Sequence, residues 1–258
     1  MARLTGDGLD KLTPMVRKII EALPASARGW LALMLKASGE RAECAGLWDA
    51  LAPHADSIPA EAPEFLIAAA GSAELCAWLD DRETAQRLYE RLLPYAGQHA
   101  IGHATGPYEG PVDLALGRLA HVLGRQAAAR DHLHRAVAAC QANHVPAYEA
   151  LALAELARAE ATGTRARAES IAAARAIAES LGLKPLLAQL AGLDAPTASG
   201  PLTPRESEIA DLVSTGMTNH QIAERLYLSE RTVENHISHA MIKLGVTSRT
   251  GLALATRP

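Results

Sequence analysis

Over residues 1–190 the apolar positions recur at the three-to-four-residue spacing of helices, and that pattern itself repeats along the chain. Turn signals fall at Gly39-Glu40, Asp80-Asp81, Gly124-Arg125 and Gly163-Thr164, a period of about 40 residues that belongs to the range of helical repeats. The first three turns are followed by one shared pattern of small and large apolar residues at spacings of four and three. Its members are Cys44, Trp48 and Leu51, then Ala85, Tyr89 and Leu92, then Ala129, Leu133 and Ala136. A helical segment precedes each turn, around Trp30 to Lys36, Phe65 to Leu79, Val112 to Leu123 and Tyr148 to Ala159. A lone helix pair cannot bury both its faces, so pairs at this interval predict a stacked array of tetratricopeptide type, with a generic helical bundle as the alternative. Gly97 to Pro111, rich in glycine, reads as a long connection inside that array.

The pattern changes after the breaker-rich stretch Gly192 to Pro201, which reads as a linker. Four short helices follow. Thr203-Pro204-Arg205-Glu206 combines a hydroxyl cap, a proline at the first helical position and a glutamate at the third; Ile209, Leu212 and Val213 follow before a stop at Gly216. Thr218-Asn219-His220-Gln221 repeats the cap ahead of Ile222, Ala223 and Leu226. Ser229 caps a third helix that runs to Leu244, with Gly245 placed to close it, and Ser248 caps a fourth carrying Leu252, Leu254 and Ala255.

The third helix, 229–244, has two faces. Val233, Ile237, Ala240 and Leu244 form an apolar stripe that can pack on the first two helices. Arg231, Thr232, Asn235, His236, Ser238 and His239 are left pointing mostly outward. A short helix, a tight turn and a longer helix with a polar N-terminal half is the helix-turn-helix arrangement, whose second helix enters the DNA major groove.

Four stretches resemble the DNA-binding domain of LuxR-type transcriptional regulators. They are Leu202 to Glu206, Thr218-Asn219 with Ile222-Ala223 and Leu226, Ser229 with Arg231-Thr232-Val233 and His236, and Lys243-Leu244-Gly245-Val246 with Ser248-Arg249. The resemblance implies that Thr232, Val233, Glu234 and His236 meet bases and nearby phosphates. It further implies that Asn219, Lys243 and Arg249 hold the DNA backbone or brace the helices, and that Glu206 ties the first helix to the rest. Thr218, Arg231, Asn235 and His239 complete the candidate DNA-binding set, and Leu252 with Ala255 is the candidate dimer contact on the last helix. The chain departs from the family pattern at Glu234, where many members carry lysine, and at Ala210 and Ala240, where many carry larger aliphatic residues. Gly117 to Arg130, with the alanine-leucine run Ala150 to Ala157, resembles the helical-repeat region of large ATP-binding LuxR regulators. The phosphate-cradling Gly-x-x-x-x-Gly-Lys-Ser/Thr motif is not in this sequence, so both a short relative and the tail of a larger regulator stay open.

Composition agrees with an all-α reading. Hydrophobic residues make up 49% of the 258, aromatics only 3% with a single Phe, so alanine and leucine must fill the helix contacts. The aromatic content argues against the sheet-helix acyl-homoserine-lactone sensor of some LuxR relatives, and the lack of alternating strand runs argues against a phosphoacceptor receiver. Net charge is −4, and the segment 200–258 balances six Lys and Arg against six Asp and Glu. One copy of such a domain lacks the cation excess that drives nonspecific DNA binding, so two copies on half-sites about one turn apart are expected.

The expectation is therefore an all-α chain with a helical-repeat domain over 1–191, a linker over 192–201 and a four-helix LuxR-type domain over 202–258. Its partners are double-stranded DNA, a second copy of the chain and a protein or peptide at the repeats. The alternative is a non-catalytic adaptor that uses a decayed helix-turn-helix only to dimerise. Cys44, Cys76 and Cys140 are odd in number and widely spaced, and His99/His103 and His132/His134 lack an acidic third ligand, so neither a disulfide framework nor a metal site is expected. No cofactor and no nucleophile-base pair of an enzyme is apparent. With no signal peptide or apolar span at the N-terminus, a cytoplasmic protein is expected.

Overall fold

At each of the four turn signals the chain enters the left-handed region, with φ of 78° at Gly39, 62° at Asp80, 76° at Gly124 and 81° at Gly163. After the first three, an amide closes the preceding helix by reaching back five residues. Glu40 N–H bonds Leu35 O at 2.9 Å, Asp81 N–H bonds Cys76 O at 3.1 Å and Arg125 N–H bonds Ala120 O at 2.9 Å. Helices stopped in this way leave few unpaired carbonyls, so the chain can reverse without water entering the turn.

The computed structural model describes residues 2–19, 25–102, 107–194, 202–226, 228, 230–244, 246 and 248–256. Their contacts divide into two units, Met1–Leu190 and Ala191–Pro258. In the first unit, α1 (Ala2–Thr5) and α2 (Leu9–Ile19) pack on α3 (Ala25–Ala37). Helix α3 pairs with α4 (Arg41–Leu51), and α5 (Phe65–Leu79) packs on both α3 and α6 (Arg82–Leu92). The stack continues through α7 (Val112–Val122), α8 (Gln126–Ala142), α9 (Pro146–Ala159) and α10 (Arg165–Leu181), each packed on the next. The helices before and after every turn signal are thus present as read. Cys44, Trp48, Ala85, Tyr89, Leu92, Ala129, Leu133 and Ala136 are all buried.

Helix α7 is buried nearly all round because α5, α6, α8 and α9 surround it. At Gly117 a Cβ would stand 2.5 Å from Leu133 Cγ, so only glycine lets α7 and α8 approach this closely. Its two buried charges need partners, since an unpaired ion in the interior is costly. Asp113 accepts from Gly97 N–H at 2.7 Å and Arg135 Nε at 3.0 Å and pairs with His132 Nδ1 at 2.7 Å, while His132 Nε2 meets the Tyr89 hydroxyl at 3.2 Å. Arg118 pairs with Glu155 at 3.1 Å and Glu74 at 3.4 Å, and Glu74 also holds Lys36 at 2.8 Å. Burial alone would raise the Glu74 and Glu155 carboxyls, but Lys36, Arg3 and Arg118 hold Glu74, and Arg158 and Arg118 hold Glu155, below the glutamate range. His132, weighed above as a metal ligand, is therefore an internal tie between α6, α7 and α8.

Two expectations need correction. The segment from Gly97 to Pro111 includes a short antiparallel hairpin, β1 (His99–Ile101) with β2 (Tyr108–Pro111), pairing His99 with Pro111 and Ile101 with Tyr108. Strands of three and four residues show no alternation to read. The Tyr108 hydroxyl bonds His99 Nδ1 across the pair at 2.8 Å, and what fixes it in place is tertiary: the Tyr148 hydroxyl of α9 donates to Tyr108 O, and Arg3 from α1 bonds Glu109. His103 lies outside the described residues. The linker also begins later than residue 192, because Gly192 lies within α11 (Lys184–Asp194). A glycine inside a helix costs only about 1 kcal/mol, which the buried Leu186 and Leu190 offset.

The second unit contains α12 (Pro204–Ser214), α13 (Asn219–Leu226), α14 (Glu230–Lys243) and α15 (Arg249–Ala255). Helix α14 packs on α12, α13 and α15, and α15 packs also on α12. Ile209, Val213, Ile222, Val233, Ile237 and Leu252 make its core. Among the described residues of both units, no helix is long and apolar enough to cross a membrane.

Candidate nucleic-acid interface

The caps that start these helices form as their residue types require. Glu206 N–H donates to Thr203 Oγ1 at 3.2 Å, and Thr203 N–H donates to Glu206 Oε2 at 2.8 Å, a complete capping box. At α13, Gln221 N–H donates to Thr218 Oγ1 at 3.3 Å and Thr218 N–H to Gln221 Oε1 at 2.9 Å. Ser248 Oγ accepts from Gly251 N–H at 3.0 Å at the start of α15. Gly216 closes α12 with φ of 84°. Ser229 and Gly245 lie outside the described residues.

Three polar ties then lock the helices together. Lys243 Nζ, in the last turn of α14, meets Glu206 Oε2 at 2.6 Å. Burial alone would push the Glu206 carboxyl up; the bonds from Lys243 and Thr203 instead hold it at about 2. Arg249 of α15 donates to Asn219 Oδ1 at 2.7 Å and to Met217 O at 2.5 Å, bridging to the start of α13. Arg205 of α12 donates to Leu226 O at 3.0 Å, capping the end of α13. The first two ties join residues singled out in the sequence. Arg205 is absent from the candidate site set; its signals in the sequence are its place in the Leu202–Glu206 stretch and a cation in the first turn of a helix, where negative charge is preferred.

On α14 the faces divide with one correction. Val233 and Ala240 are fully buried and Ile237 nearly so, while Glu234 is exposed and Thr232 and His236 are partly so. Val233, carried over as a base-contacting residue, is thus a core residue, because it stands four residues before Ile237 on the stripe that faces α12. Leu244, expected on that stripe, is 37% exposed because the helix ends at Lys243. The side chains of Arg231, Asn235, Ser238 and His239 lie outside what is described. A second correction concerns α15, where Leu252 is fully buried in its own domain, packed under α12 and α14, so it has no surface to offer a second copy. Ala255, by contrast, is exposed.

The frame built from these bonds is a short helix and a longer one fixed at a set angle by α12 and α15, and comparison places it. Residues 200–256 match the family described as bacterial regulatory proteins, luxR family. The C-terminal unit is a luxR-family helix-turn-helix domain. The chain is 51% identical over 49 residues to the spore germination protein GerE of Bacillus subtilis, covering 19% of this chain and 66% of that protein. It is 35% identical over 87 residues to the DNA-binding transcriptional activator DevR/DosR of Mycobacterium tuberculosis, covering 33% and 40% of the two chains. An HTH-type transcriptional regulator of Mycobacterium bovis shares 49% identity over 53 residues, 20% of this chain and only 6% of its own length. The similarity to these relatives thus spans the LuxR-type domain and a fraction of the relatives' lengths. No solved structure matches the chain.

Within the LuxR-type domain the charge balance has a structural reading. Lys243 is committed to Glu206, Arg249 to Asn219 and Arg205 to Glu208 and the Leu226 carbonyl. These cations stabilise the fold first, so the domain's positive charge toward phosphate is smaller than its count of basic residues implies. His220, on the α13 side of the turn, bonds Glu230 at 2.9 Å and lies 3.5 Å from Glu224. Both carboxylates raise its pKa, the hydrogen bond to Glu230 most of all, which favours a positive imidazolium beside the turn.

Proposed function

We propose that this chain is a sequence-specific DNA-binding transcription regulator that binds promoter DNA as a dimer through α14, while its helical repeats receive a signal or a partner. The observation that carries the reading is the division of α14: Val233, Ile237 and Ala240 anchor it in the core, while Glu234 is exposed and Thr232 and His236 keep part of their surface in solvent. A helix held on one face by packing and at its ends by Glu206 and the α13 turn is rigid enough to present side chains to base edges. The luxR-family match and the DNA-binding name of the DevR/DosR relative support the DNA partner.

Pairing follows from the charge economy of the domain. With few cations left for phosphates, one copy binds weakly, and two copies on a twofold site multiply the contacts. Since Leu252 is spent inside the domain, the pairing surface on α15 is formed by exposed positions such as Ala255. The adaptor alternative draws on the exposed acid Glu234 in the middle of the reading face. Selection from random duplexes at low salt separates the two: an enriched twofold sequence is expected, and failure to enrich any sequence would favour the adaptor.

A further inference from the structure

We infer that the cavity between α3, α4 and α5 binds an uncharged, largely apolar organic molecule with one hydrogen-bond donor, and that this molecule is the signal the repeats receive. The second clause rests on the regulator reading above; the first does not. The cavity has a volume of about 400 Å³, inside the range of about 300–1,000 Å³ typical of small-molecule sites. Its lining is dominated by Trp30, Leu33, Trp48, Leu51, Ile67 and Leu75. Trp30 is 48% exposed at the rim, where a bound apolar molecule would cover part of its ring.

The site is built before any ligand arrives. One wall is the segment from the short turn Ala52–His54 to Ile58, which has no regular structure of its own beyond that turn. Two arginines of α6 hold it by its carbonyls and its acid: Arg87 donates to Ala52 O at 2.9 Å and pairs with Asp56 at 3.5 Å, and Arg91 donates to Ile58 O. On the opposite side, Trp48 Nε1 donates to Asp81 Oδ2 at 2.9 Å, fixing the plane of its ring. Walls fixed by hydrogen bonds rather than by packing across the gap keep a cavity open, and such preorganisation lowers the cost of binding.

Glu109 supplies the polar point. It lines the cavity and is 8% exposed, and among the described residues its bond from Arg3 falls on Oε2, with the Tyr148 hydroxyl, whose proton goes to Tyr108 O, 3.5 Å from that same oxygen. Oε1 is left to accept one donor from a ligand. Arg3 already balances the carboxylate, so a cation is not required, while at the mouth Arg28 and Glu64 offset each other and an anion reaching the interior would meet Glu109 at a desolvation cost. Burial pushes the Glu109 carboxyl above its ordinary range in spite of Arg3, the mark of a dry surrounding.

N-phenyl-1-naphthylamine, a neutral diarylamine with a single N–H, is a suitable probe for the full-length chain. Expected is a saturable one-to-one rise in probe emission, with quenching of tryptophan emission through Trp30 and Trp48, and an affinity at least about tenfold higher than that of its anionic anilinonaphthalene-sulfonate counterpart. Ala68→Phe, which fills the cavity, should abolish binding with an unchanged circular dichroism spectrum. Trp30→Ala, at the exposed rim where folding is insensitive, should weaken it severalfold. Non-saturable emission, equal affinity for the two probes, or indifference to both substitutions would overturn the site. Bound probe should also change the affinity for a selected duplex, and by reciprocity the duplex should change probe affinity equally. Intact probe binding with no such coupling would overturn the signal clause alone, and failure to select any duplex would count against the regulator reading while leaving the site intact.

Discussion

Replacing Glu206 by Gln tests whether the ion pair with Lys243 holds the LuxR-type domain together. The substitution keeps a side chain able to accept from Thr203 N–H, so the capping box is preserved while the charge is removed. Glu206 is 4% exposed, and its carboxyl is held at about 2 against an ordinary value of 4.5. At about 1.4 kcal/mol per pH unit this difference corresponds to about 3.5 kcal/mol as an upper figure. Lys243 keeps 23% of its side chain in water, so screening reduces the expected loss to about 1–3 kcal/mol. The sign is that of a depressed acid: the stabilisation is complete above pH 4.5, declines as pH falls, and is gone below about 2. Trp30, Trp48 and Trp78 all belong to the N-terminal unit, so tryptophan emission is blind to this domain. Amide exchange of the α12 peptide reads it instead, with an expected fall in protection of about 5- to 150-fold at pH 7 in Glu206→Gln. The wild type should lose protection progressively between pH 4.5 and about 2, and the variant should show a flatter profile. A variant as protected as the wild type at pH 7, together with parallel acid profiles, would refute the assignment.

Val233→Ala should destabilise the LuxR-type domain by about 1–3 kcal/mol, since Val233 is fully buried, and leave the selected DNA sequence unchanged. His236→Ala should do the reverse, altering affinity or base preference without a change in α12 protection; binding assays across a duplex panel distinguish the two. The His220 imidazole should titrate above 6.5 by NMR, and Glu230→Gln should bring it down. Its contribution is complete below 6.5 and lost as pH rises through the raised value, so protection of α13 should decline on the alkaline side. Gly117→Ala should destabilise the repeats by about 1–3 kcal/mol through the clash with Leu133, visible in tryptophan-monitored urea unfolding.

Helix positions were legible from the chain because their causes are local. Positive-φ stops at Gly39, Asp80, Gly124 and Gly163, hydroxyl caps at Thr203, Thr218 and Ser248, and a four-three apolar spacing on α14 all act within a few residues. The same locality made the LuxR-type motif readable. The site residues divided differently. On α14 Glu234 is exposed and Thr232 and His236 are half-buried, while Val233 falls on the apolar stripe that the period itself marks, against the base-contacting role that the family resemblance implies; the burial of Leu252 is what only packing decides.

What packing decided was which partners meet across long separations. Nothing near Asp113 announces His132, nothing near Arg3 announces Glu109, and nothing in α6 announces that Arg87 and Arg91 hold the segment after α4. Residue types and their spacing along one helix set where helices begin, end and bury a face, since those terms depend on neighbours within a turn or two. The cavity, the hairpin and the charge ties depend on the distance between residues tens of positions apart, a quantity set only when the helices stack.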